Sequence, residues 1–77
     1  MDKYQPSEAD AKKLAHNFTY HKPKDDQPER YESIRATALV LAKKMCALCP
    51  PSRELSLALT HLEESIHWTN ASIARNE

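Results

Sequence analysis

The chain has 77 residues, with Lys+Arg and Asp+Glu at 11 each, so its formal net charge is zero. A chain this short forms one domain at most and buries only about 60% of its unfolded surface, which leaves a marginal core. The absence of glycine removes the usual phosphate-loop and dinucleotide-fold devices, and the neutral balance disfavours DNA or RNA polymers, whose non-specific binding rests on a basic excess.

Met1 to Gln5 are expected to fray. Ser7 then caps a short helix running to Asn17, with Asp10 at the capping-box position and Glu8 favourable near the positive helix end. Ala11, Leu14, Ala15 and Phe18 form its apolar side, and so short a helix is expected to pack on the rest of the chain. Asn17 to Gln27 (NFTYHKPKDDQ) is irregular and rich in donors. Its Phe18 and Tyr20 either plug gaps in the core or face a ligand, and the residue pattern leaves both readings open.

Pro28 suits the first turn of the next helix, with Asp26 or Gln27 as cap, and that helix runs to Leu48. Its seam is Tyr31, Ile34, Ala38, Leu41, Met45 and Leu48. After Pro50-Pro51 a second long helix carries Leu55, Leu59, Leu62, Ile66, Thr69 and Ile73 at alternating steps of four and three. Two matched amphipathic seams joined at a short proline break predict an antiparallel helical hairpin. Leu57, Ala58, Trp68, Ala71 and Ala74 add apolar surface beyond the seam, and this excess points to self-association through the helix flanks. Arg35 and Thr37 lie beside the seam, and the bland reading of Arg35 is an ion pair with Glu32 or Glu29.

No apolar run approaches the ~18 residues of a membrane helix and the charged N-terminus has no signal-peptide core, so a soluble, cytoplasmic protein is expected. The two cysteines could close only a trivial loop. Cys46-x-x-Cys49 with His61 and His67 downstream has near-zinc-finger spacing. The context opposes it: the cysteines end a periodic helix, and His61 and His67 point about 120° apart on a regular helix. No metal or other cofactor is expected. Glu63 and Glu64 fall on different sides of their helix, and no nucleophile elbow, HExxH or phosphate loop is present, so no enzymatic activity is expected.

Two strings carry a resemblance. Asn17 to Arg35 (NFTYHKPKDDQPERYESIR) and Pro50 to Glu77 (PPSRELSLALTHLEESIHWTNASIARNE) resemble phage anti-CBASS sponges, which share a helical hairpin domain with one type of anti-Thoeris sponge. The motifs FTYH-x-P-K, Q-P-E-R-Y, P-x-S-R-E-x-S-L-A-L-T-x-L-E-E and I-A-R-N-E occur in order, and Met1 to His16 looks like the variable part. The resemblance implies an all-α domain over 1–77, with a ligand-binding loop at 17–27 and hairpin helices at 28–48 and 51–76. It implies a compact homo-oligomer, a homohexamer in the family, that traps cyclic dinucleotides such as cyclic GMP-AMP and, in separate pockets, cyclic trinucleotides, without degrading them. Tyr20 takes the aromatic position that stacks on a base, and Arg35 a phosphate-contacting position where relatives carry lysine. His21, Lys22 and Lys24 stand beside the aromatic, and Thr37 and Arg75 match the trinucleotide pocket. The competing class is a small oligomeric helical phage protein that binds only protein, as a regulator or assembly factor.

Overall fold

The computed structural model describes residues 3–77 as three helices, α1 (Glu8–Asn17), α2 (Gln27–Leu48) and α3 (Arg53–Asn76), and no strand among the described residues. Met1 and Asp2, part of the segment expected to fray, lie outside the described residues. Lys3 to Gln5 are exposed and without regular structure. Ser7 is extended and its hydroxyl accepts the Asp10 N–H at 3.1 Å, capping α1 as the sequence predicts. At the start of α2, Asp26 occupies the cap position without a capping bond; its carboxylate instead accepts from Arg30 Nε at 3.2 Å. The bend between the long helices follows from local chemistry. Pro50 and Pro51 have no N–H to continue α2, and the Ser52 hydroxyl accepts the Leu55 N–H at 3.1 Å to start α3.

Helices α2 and α3 pack along each other as the expected hairpin. All six predicted α3 seam residues are half-buried. On α2 the seam holds at Tyr31, Ile34, Ala38 and Met45 but passes through Ala42, leaving Leu41 and Leu48 exposed. The geometry of a straight helix explains this correction. At about 100° per residue, Leu41 and Leu48 drift back from Ile34 by about 20° and 40°, out of a stripe centred on Ala38.

No described hydrophobic residue is buried; Gln27, 4% exposed, is the one buried residue among those described. The molecule measures 49 × 37 × 14 Å with a radius of gyration of 17.4 Å, where a compact domain of this length would have about 11–12 Å. Its accessible surface is 6618 Å², against roughly 4,800 Å² for a compact monomer of this mass. The fold is therefore a thin hairpin whose seam is open on both flanks.

The expectation that α1 packs on the hairpin fails. None of its residues is buried and Leu14 stays exposed. With one large aliphatic side chain on its apolar side, α1 offers too little area to offset the cost of ordering a packed interface. Among the described residues a single hydrogen bond joins α1 to α3, from His16 Nε2 to the Arg75 carbonyl at 2.9 Å.

The two ends of the hairpin are fastened by charge. Arg30 on α2 donates through Nη1 to Glu77 Oε2 at 2.7 Å and through Nη2 to Glu77 Oε1, and Gln27 Nε2 donates to the same carboxylate at 3.2 Å. A bidentate, charge-assisted pair of this kind fixes geometry as well as distance. Hydrogen bonds from Arg30 and then Gln27 hold the Glu77 carboxyl at about 2, below its ordinary 4.5, and Glu77 in turn raises the Arg30 guanidinium further above its usual value.

The sign of the pH effect follows. A carboxylate whose pKa is depressed by folding contributes stability that is complete above about 4.5 and lost as pH falls through about 2. Thermal melts followed by circular dichroism should show the wild type losing stability across that window, and Glu77→Gln should be less stable at neutral pH with a shallower acid loss. Identical acid profiles for the two proteins would remove the clamp from the account.

Candidate ligand-binding site

The segment from Phe18 to Asp26 forms a surface loop pinned at both ends. At its start, Thr19 Oγ1 donates to the Ala15 carbonyl at 2.5 Å, and His21 Nε2 contacts the His16 carbonyl at 2.8 Å. The His16 and His21 rings lie 4.3 Å apart, tilted by 41°. Both Nε2 atoms face carbonyl oxygens, so both must carry a proton. At its end, Asp25 takes a left-handed φ of 52°, a conformation tolerated by short polar side chains where no glycine is available. The Gln27 N–H closes the turn on the Lys24 carbonyl at 3.0 Å, while the Gln27 side chain accepts the Lys24 N–H at 3.1 Å. Gln27 also reaches Glu77, so both loop anchors converge on the C-terminal end of α3.

Between these anchors the aromatics face solvent. Phe18 is 87% and Tyr20 82% exposed, which excludes the core-plug reading within one chain. Lys22 and Lys24 are exposed and His21 is half-buried. Arg75 lies at the same end of the hairpin, its guanidinium 5.9 Å from the centre of the Trp68 ring. The indole is 68% exposed, so this cation–π contact leaves a broad aromatic face open.

Arg35 and Thr37 stand elsewhere, beside two different grooves along the hairpin. Arg35 pairs with Glu32 at 2.8 Å, the bland partner the sequence suggested. It borders a groove of about 950 Å³ whose floor includes Ala38, Leu62 and Ile66 and whose polar rim includes Lys43, Glu63, His67 and Asn70. Asn70 Oδ1 is buried there without a hydrogen-bond partner. Thr37 borders a second groove of about 310 Å³ with Ser33, Ile34 and Leu41, and its hydroxyl donates to the Ser33 carbonyl at 2.9 Å. Tyr20 lines neither groove, and neither does Arg75. One protomer thus brings the loop together with Arg75 but does not join Tyr20 to Arg35, or Thr37 to Arg75, in a single pocket.

Sequence reasoning offered Gln27 only as a helix cap and did not single out Arg30 or Glu77, although all three lie in the quoted strings QPERY and IARNE. Those strings meet in space through the clamp. Asn70 and Trp68 also border open surface, and only the apolar excess around Trp68 left a signal in the sequence.

Residues 10–74 of the 77 match the family model described as Acb2/Tad1, hairpin domain. The chain belongs to this family, the anti-CBASS/anti-Thoeris sponges. No curated protein and no solved structure matches. The match begins inside α1, ahead of Asn17, takes in Tyr20, Arg35 and Thr37, and ends at Ala74, one position short of Arg75.

The zinc-like spacing resolves differently from its motif. Cys46 and His67 share the larger groove, whereas His61 Nδ1 lies 3.6 Å from the Glu64 carboxylate. Among the described residues no group of three His, Cys, Asp or Glu gathers around one point. EDTA should therefore leave the melting temperature and helical signal unchanged, and unfolding on chelation would reinstate a metal site at Cys46 and Cys49.

Proposed function

We propose that this chain is a sponge that sequesters cyclic di- and trinucleotide immune signals such as cyclic GMP-AMP, without degrading them, in pockets closed between protomers. The family is one of phage anti-defence sponges, and on this reading the protein acts in the cytoplasm of the infected bacterium. The observation that carries the reading is the placement of the candidate contacts. An exposed aromatic loop, Arg35 and Arg75 all stand on surfaces that the single hairpin leaves open.

The ligand chemistry suits these groups. A cyclic dinucleotide offers two flat bases and two phosphates. Stacking on Tyr20 is worth about 1–3 kcal/mol per base, and arginine grips a phosphate through a bidentate pair. Intercepting a signal ahead of its receptor calls for nanomolar binding, about −12 kcal/mol. One exposed loop does not supply that. Repeated copies around a symmetric pocket do, because each base or phosphate meets its own set of side chains.

The surface supports such an assembly. About 1,800 Å² beyond that of a compact monomer is exposed, and a standard interface covers about 800 Å² per partner. Each protomer therefore has surface for roughly two neighbours, which suits a closed assembly larger than a dimer. A homohexamer is the proposed form.

Multi-angle light scattering should give a mass several times the 8.8 kDa monomer, sixfold on this reading; a well-folded monomer at micromolar concentration would remove the shared pockets. Tyr20→Ala should weaken cyclic dinucleotide binding by about tenfold or more through lost stacking. Arg35→Ala should lose more, because a phosphate is left unpaired. Both variants should keep the assembly and the trinucleotide, while Arg75→Ala loses the trinucleotide and keeps the dinucleotide. Tyr20→Ala and Arg75→Ala each abolishing both ligands would mean one composite pocket. Ligand recovered after denaturation should be intact, and linear products growing with time would reveal an overlooked active site. Thermal stabilisation by no cyclic nucleotide would favour the protein-only class.

A further inference from the structure

We infer that His16 and His21 are positioning residues: they stitch the Tyr20 loop to the backbone of α3 and so preorganise the proposed base-stacking surface. The inference rests on the sponge reading for its ligand and on geometry for its mechanism. Helix α1 and the loop bury no hydrophobic side chain against the hairpin, so hydrophobic packing does not set their orientation. What does is a relay of two imidazoles. His16 Nε2–H donates to the Arg75 carbonyl at 2.9 Å, and the His16 carbonyl accepts from His21 Nε2–H at 2.8 Å. The two rings stand 4.3 Å apart. His21 follows Tyr20 directly in the chain, so the backbone that carries the phenol ring is fixed one residue away from the ring itself. The second anchor, Lys24 N–H to Gln27 to Glu77, holds the other end of the same loop.

A loop held in its binding conformation avoids the ordering cost that a free loop meets on association. The acceptor at α3 is a main-chain carbonyl, so the stitch does not depend on the Arg75 side chain. This gives the inference a discriminating control. Glutamine presents an amide N–H at a reach similar to imidazole Nε2 and can replace the donor, whereas alanine cannot.

The test has two arms on the intact chain. In the first, without ligand, amide hydrogen exchange of Thr19 and Lys24, the loop N–H groups that are hydrogen-bonded, should speed up by about tenfold in His16→Ala and His21→Ala, from the loss of about one hydrogen bond. Exchange along the α2 and α3 seams should not change, His16→Gln should stay near wild type, and Arg75→Ala should leave the loop protected. Wild-type exchange in His16→Ala overturns the stitch. In the second arm, cyclic GMP-AMP should bind His16→Ala and His21→Ala about fivefold or more weakly, with most of the affinity regained in His16→Gln. Equal affinities alongside a loosened loop overturn the positioning role. Absence of cyclic GMP-AMP binding by the wild type sinks the ligand reading instead, and the exchange arm still decides the stitch.

Discussion

The ion pair between Arg30 and Glu77 is the contact on which the usable shape of this chain depends. It joins the first turn of α2 to the last residue of the chain, and Gln27 extends it into the turn that closes the loop. Without it only the Cys49–Ser52 bend and the apolar seam would set the hairpin's register, and that seam contains alanines and one threonine. Side chains about 40% exposed pair weakly when isolated, because solvent screens them. Here the pair is bidentate and supported by an amide, so its value lies in geometry: it fixes which residues of α3 lie beneath the loop. The Arg75 carbonyl is thereby brought within reach of His16.

The second constraint is size. Two helices of 22 and 24 residues cannot enclose side chains on all sides, and the described chain has no fully buried hydrophobic residue. A hairpin of this kind is half of a core. Completing it with further copies would cover the grooves beside Arg35 and Thr37 and enclose polar side chains around a small anionic ligand. Stability and binding would then arise from the same surfaces, which is how so short a chain can form pockets at all.

Much of the fold was legible because it is written in local chemistry. Ser7, Pro28 and the Pro50-Pro51 break set the helix limits, and the α3 seam followed from its spacing. The α2 seam was misjudged at Leu41 and Leu48, since a strict three-four alternation overstates how long a stripe stays on one face of a straight helix. The packing of α1 was misjudged because capping signals report where a helix starts and say nothing about what it leans on. For the site, Tyr20 stood out as an aromatic among donors, and the structure leaves it exposed in a pinned loop. The relay through His16 and the clamp through Glu77 were not legible. Each joins residues about fifty or more positions apart through one or two hydrogen bonds, and periodicity carries no trace of such pairs.

On the sponge reading, ligand pockets exist only between copies of this chain. Isothermal titration of cyclic GMP-AMP into the assembled protein, set beside a variant held monomeric by a charge on the exposed helix flank, separates shared from single-chain sites. The assembled protein should bind tightly with fewer than one dinucleotide per chain, and the monomeric variant should lose that binding. Undiminished binding by a variant held monomeric would show that a single hairpin forms the whole pocket, and no binding would contradict the sponge reading itself.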